Sequence, residues 1–111
     1  MEKVTNDKGE VAVLVSPGYG AGFHTWNDIP DLCFYPFIVN HLIADTLKDV
    51  DYEEIEELIK KDFNIPEEHY VCALGVYDCK IAWLKKGTVF AIEEYDGSES
   101  LTLIEDLALT A

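Results

Sequence analysis

Val11-Ala12-Val13-Leu14-Val15 is an unbroken apolar run rich in β-branched residues. A run of this length without polar alternation predicts a buried strand. Ser16-Pro17-Gly18 ends it, because proline donates no ladder hydrogen bond and glycine permits a turn. A loop rich in glycine and aromatic residues follows, from Gly18 to Leu32. Pro36 suits the first turn of a helix, expected to run to about Leu47, with Phe37, Ile38, His41 and Leu42 marking its faces. Asp51 reads as an N-cap, with Glu54 three positions on as its capping-box partner. Ile55, Leu58, Ile59 and Phe63 then recur at helical spacing, and Asn64 and Pro66 end the second helix.

Beyond His69 the pattern changes to strands. His69–Leu74 is one candidate, and Lys80–Lys85, Thr88–Glu94 and Glu99–Ile104 predict a meander. Asp96-Gly97 is a two-residue hairpin signal, since both positions tolerate positive φ. That turn sets Ile92 opposite Leu101 and Phe90 opposite Leu103. A turn at Lys86-Gly87 would set Trp83 opposite Phe90 and Ile81 opposite Ile92. Both registers place these apolar residues on one face. The expected fold is therefore α+β: a small antiparallel β-meander plus one N-terminal strand, with two helices packed on one face. Residues 1–111 form a single domain, of which the polar residues 1–9 are expected to be loose.

Charge narrows the partners. The chain carries 22 Asp and Glu against 8 basic residues, a formal net charge of −14, and every base is a lysine. Such a field repels nucleic acid and anionic membrane surfaces, so neither is an expected partner. It leaves a basic protein, or a small ligand in a pocket whose local chemistry differs from the global field. Acidity as an aid to solubility is the simpler explanation to weigh against both. No apolar run approaches the roughly 18 residues of a membrane span, and Met1–Asn6 has no signal-peptide character. A cytoplasmic location is expected. Cys33, Cys72 and Cys79 are odd in number and lie in apolar segments, which suits reduced, buried thiols; a Cys72–Cys79 bridge across a hairpin is the alternative.

Three constellations could carry function. In the loop, Gly18, Gly20 and Gly22 alternate and would expose amides able to hold an anion, while Tyr19 and Trp26 could stack on a flat ring. No Lys-Ser or Lys-Thr follows, so this is not a P-loop, and the dinucleotide fingerprint needs an immediate helix. A tight structural loop with aromatic residues in the core is the plainer reading. In the hairpin, Glu94 opposes Glu99, a like-charge pair that weakens a hairpin unless donors from a ligand, a cation or a lysine relieve it. Asp96 sits at the tip. Third, Asp49, Asp51, Glu53, Glu54, Glu56 and Glu57 place six acids in nine residues at a helix start. The macrodipole alone explains acids there, but such a row could also imitate phosphates in a basic groove. Ser16, His24 and Asp28 contain triad chemistry by type without a nucleophile elbow, and the histidines and cysteines lack metal-site spacing. No catalytic residue, metal or cofactor is expected.

The opening Val13-Leu14-Val15-Ser16-Pro17-Gly18-Tyr19-Gly20-Ala21-Gly22, with Trp26-Asn27, and the segment Trp83–Leu101 that includes Gly87-Thr88-Val89-Phe90-Ala91-Ile92-Glu93-Glu94-Tyr95-Asp96-Gly97-Ser98-Glu99-Ser100, resemble a small family encoded by bacteriophages and prophages. The resemblance covers both ends of the chain and not its acidic middle. It implies a viral context and supplies no catalytic or binding residue. By association, small acidic phage proteins often antagonise bacterial defence. The expected function is thus a non-enzymatic binder acting in the cytoplasm of an infected host. It would sequester a nucleotide-like signal through Gly18, Tyr19, Gly20, Gly22, Trp26, Glu94 and Asp96. Alternatively it would mimic nucleic acid through Asp49, Asp51, Glu53, Glu54, Glu56 and Glu57 and bind a basic host protein directly, as anti-CRISPR or anti-restriction proteins do. A homo-oligomer is compatible with either.

Overall fold

The apolar run forms strand β1 (Glu10–Val15), with Ala12, Val13 and Leu14 fully buried. It belongs to a computed structural model that describes residues 1–18 and 22–104. Along the chain follow helices α1 (His24–Asn27), α2 (Pro36–Ile43) and α3 (Tyr52–Asp62), then strands β2 (Lys80–Lys85), β3 (Phe90–Tyr95) and β4 (Ser98–Leu103). Short 3-10 turns occupy Pro30–Phe34, Leu47–Asp49 and Leu74–Asp78. The architecture is α+β, as the pattern predicts. Among the described residues no helix is long and apolar enough to cross a membrane.

The strand pairing differs from the expected meander. β2 pairs antiparallel with β1, which sets Leu14 opposite Ile81 and Ala12 opposite Trp83. β3 pairs with β4, so the described strands make two separate two-stranded sheets. Lys86-Gly87 does turn the chain, with Gly87 at φ 88° and the Thr88 amide 3.0 Å from the Lys85 carbonyl, yet Trp83 and Phe90 are not ladder partners. The apolar β1 run supplies the reason. Its edge offers Ile81 and Trp83 a wholly apolar neighbour, whereas β3 carries Glu93 and Glu94. The β3–β4 register is as expected, with Ile92 opposite Leu101 and Phe90 opposite Leu103. Asp96 and Gly97 adopt φ 53° and 85° at its tip, the positive-φ pair of a tight hairpin.

One core joins the layers. Ile38 and Val39 of α2 and Ile55 and Ile59 of α3 pack with Leu14, Phe23, Leu32, Tyr35 and Val76, and Ile81 and Trp83 close over them. Each such side chain contributes about 1.5–3 kcal/mol by leaving water. α2 stops earlier than expected. Asp45 enters the left-handed region at φ 56°, and the Thr46 amide bonds back to the His41 carbonyl at 2.9 Å. α3 begins where expected, the Asp51 carboxylate accepting the Glu53 amide at 3.2 Å. Asp51→Ala is expected to cost about 1 kcal/mol of stability in urea denaturation. A change of no more than a few tenths would remove the cap from the list of stabilising contacts.

One further expectation is corrected. Residues 69–74 form no strand. Their buried amides are satisfied by side chains instead: Cys72 donates to Asn27 Oδ1 at 2.8 Å and Ala73 to Glu56 Oε2 at 3.1 Å. The polar N-terminus makes backbone and side-chain contacts with β1 and within its own turn. Thr5 bridges to Val11, the Ala12 amide reaches the Val4 carbonyl at 3.0 Å, and the Asn6 side chain accepts the Lys8 and Glu10 amides.

Candidate functional site

The end of β1 and the start of β4 meet through their backbones. The Glu99 amide donates to the Ser16 carbonyl at 2.8 Å, and Ser98 Oγ donates to the Pro17 carbonyl at 2.7 Å. This contact links the two sheets and turns the Glu99 side chain inward, where it is only 2 % exposed. Its carboxylate then gathers donors from both ends of the glycine loop. One oxygen accepts the Ser16 amide at 2.9 Å. The other accepts the Phe23 and Thr25 amides, each at 3.0 Å, and the Thr25 hydroxyl at 2.6 Å. The Phe23 and Thr25 amides lie at the start of α1, where backbone N–H groups have no intrahelical partner. Burial pushes the Glu99 carboxyl up, but the Thr25 hydroxyl and the three amides outweigh it and hold the group below the ordinary carboxylate range. An anion nest exists here, and its anion is the protein's own.

The like-charge pair is resolved by separation. Glu94 and Glu99 stand opposite in the ladder as expected. Glu99 is buried among amides, while Glu94 stays in solvent and accepts Trp26 Nε1 at 3.1 Å and the Gly97 amide at 3.0 Å. The Trp26 bond, then the Gly97 amide, holds Glu94 below its ordinary value. The donors that relieve the pair therefore come from the chain itself. Gly22 is needed at this junction: a Cβ there would lie 2.7 Å from Thr25 Oγ1, 2.9 Å from the Trp26 ring and 3.3 Å from the Gly97 carbonyl. A Cβ on Gly18 would collide with the Asp78 carboxylate.

Of the ligand set expected from the sequence, Gly22, Trp26, Glu94 and the Asp96-Gly97 tip thus come together, and Gly18 sits nearer Asp78. Tyr19 and Gly20 lie outside the described residues. The residues that organise this region were not in that set: Ser16, Thr25, Asn27 and above all Glu99. Asn27 clasps the loop to the 69–74 segment, donating to the Phe23 and Cys72 carbonyls at 2.7 Å each. His24 is half-buried near Glu99, its two ring nitrogens shielded from solvent and unbonded, and burial lowers its pKa against the pull of the carboxylate. Cys33, Cys72 and Cys79 are free and buried. Burial, with Asp31 adding to it, pushes the Cys33 thiol up to about 12, and burial also raises Cys79, so both stay protonated and unreactive.

The acidic set lies on another part of the surface, at the start of α3. Asp49, Asp51, Glu53, Glu54 and Glu57 are exposed; Glu56 is half-buried and committed to the Ala73 amide. Among the described residues the one ion pair is Lys48–Asp45 at 3.9 Å, so no lysine neutralises this row. Compared with known proteins, the chain matches no protein-family model, no curated protein and no solved structure.

Proposed function

We propose that the chain is a non-enzymatic binding protein that docks on a basic protein surface through its acidic face. One observation carries this reading. The amides of Ser16, Phe23 and Thr25 are spent on Glu99, while five carboxylates between Asp49 and Glu57 stand in solvent without a lysine partner. Unneutralised surface charge raises association rates with an oppositely charged partner and selects against others. The resemblance to phage- and prophage-encoded proteins makes a host defence protein the first partner to try, which would place the chain in an infected bacterial cytoplasm.

The test is retention of host proteins on the immobilised chain across a salt series. Exposed charges are screened over about 8 Å at physiological ionic strength, so retention should fall steeply with salt. Glu53→Gln, Glu54→Gln and Glu57→Gln together should abolish it with the fold intact by circular dichroism. Glu56 is left alone because it holds the Ala73 amide. Retention by the triple variant equal to that of wild type would end this reading.

A second reading, sequestration of a nucleotide-like ligand, is favoured by the meeting of Trp26 with Glu94 and the Asp96-Gly97 turn. It ranks second because the net charge of −14 opposes an anion and Glu99 already takes the Ser16, Phe23 and Thr25 amides that flank the loop. A thermal-shift screen against cyclic dinucleotides and ADP-ribose derivatives tests it. Binding raises the melting temperature through a stabilisation of RT ln(1 + [L]/Kd), and flat traces would discard it.

A further inference from the structure

The segment between α3 and β2 is pinned across the acidic start of α3. Tyr77 Oη donates to the Val50 carbonyl at 2.6 Å, and Glu56 holds the Ala73 amide at 3.1 Å. Within the 3-10 turn Leu74–Asp78, Gly75 and Val76 are buried, which leaves Leu74 and Tyr77 facing out. Four large side chains of these segments are exposed. Tyr70 is 84 % exposed, Leu74 56 %, Tyr77 42 % and Tyr52 40 %. The Tyr77 bond to Val50 sets this turn next to Asp51 and Tyr52, and Glu56, one helical turn after Tyr52, holds the segment that carries Tyr70. The aromatic residues and the acids therefore share one face. Protein interfaces concentrate tyrosine at their centres, and the partner side chain that best suits a tyrosine face rimmed by carboxylates is arginine. Its planar guanidinium stacks on rings and pairs with carboxylates at once, whereas lysine offers a compact, strongly hydrated charge.

We infer that Tyr52, Tyr70, Leu74 and Tyr77, rimmed by Asp49, Asp51 and Glu53, form the docking face for a basic protein and that arginine side chains of that protein are what it reads. The inference rests on the binding function proposed above and names its surface. Charge complementarity selects the occupant. A second copy of this chain has no arginine and a net charge of −14, so it fits poorly.

The test titrates the full chain with an oligo-arginine and an oligo-lysine peptide of equal length, followed by calorimetry. The arginine peptide should bind tighter by roughly three- to thirty-fold, the range that cation–π contacts supply. Tyr52→Ser with Tyr70→Ser, both exposed positions, should bring the arginine peptide down to the lysine peptide's affinity while leaving circular dichroism unchanged. Tyr77→Phe, which keeps the ring, should retain the preference. Equal affinities in the wild type overturn the inference, as does a preference that survives the double variant. A dimer by sedimentation that the double variant abolishes would assign the face to a second copy and also overturn it. If both peptides bind equally and the Glu53, Glu54 and Glu57 variant abolishes binding, the acidic-face function stands and only the arginine face falls. If neither peptide binds, both fall.

Discussion

Glu99→Ala is expected to lower stability by about 3–5 kcal/mol, the cost of taking one partner from a buried charged network. The variant removes four hydrogen bonds to a single carboxylate and leaves the Ser16, Phe23 and Thr25 amides without that acceptor. Bonds to a charged group contribute about 1.5–3 kcal/mol each, but members of one network do not add. Against a total of about 5–15 kcal/mol for a domain, the loss is a large fraction. A melting temperature at least about 12 °C lower follows for a chain of this size. Glu99→Gln keeps one acceptor and turns the other into a donor aimed at donors, so it should fall between alanine and wild type. Thr25→Val deletes one bond and should cost least. Hydrogen exchange at Ser16, Phe23 and Thr25 should accelerate in the same order. A Glu99→Ala protein within about 0.5 kcal/mol of wild type would show that the carboxylate does not hold the loop to the hairpin, since that is the scatter of ordinary surface changes.

Three features are legible from local sequence. The β1 run, the Asp51 cap and the Asp96-Gly97 hairpin each depend on neighbours a few positions apart, and all three stand in the structure. The β2 partner could not be read in that way. Alternation says which face Ile81 and Trp83 occupy, not which strand lies beside them, and β1 is some seventy residues away in sequence. The 69–74 segment misleads for a related reason. Val71, Cys72 and Ala73 are apolar and buried, as in a strand, but the side chains of Asn27 and Glu56 satisfy the backbone in place of a ladder. α1 carries no local signal either. His24, Thr25, Trp26 and Asn27 are mediocre helix formers, and the group that accepts their free amides comes from Glu99. The like-charge opposition of Glu94 and Glu99 is the trace of the buried carboxylate in the sequence. It marked the right residue and left its donors unknown, because those donors are mostly backbone.

Acid should destabilise the protein in two stages, and His24 should set the first. Its ring is held below the ordinary imidazole value by burial, with Glu99 opposing, and neither nitrogen has a partner. The unfolded chain then takes up the proton before the folded one does. Stability from this group is complete above about pH 6.5, the unfolded value, and is lost as pH falls through and below it. Glu99 follows the same sign in a lower window. Its hydrogen bonds hold the folded carboxyl below the ordinary value despite burial, so its contribution is full above about pH 4.3 and lost below. Each proton taken up only by the unfolded chain gives a slope of up to about 1.4 kcal/mol per pH unit. Urea denaturation across this range should therefore show a decline beginning near pH 6.5 and steepening under pH 4.5. His24→Phe, which fills the same space without a titratable nitrogen, should flatten the first stage and leave the second in place. The groups that face His24 from neighbouring segments are Glu99, which favours its proton, and Asp28, which shares a cavity of about 270 Å³ with it, Thr25, Ile29 and Pro30. Superimposable profiles for wild type and His24→Phe would mean that the folded protein protonates His24 as readily as the unfolded chain. The half-buried, unpaired ring would then have no place in the acid response.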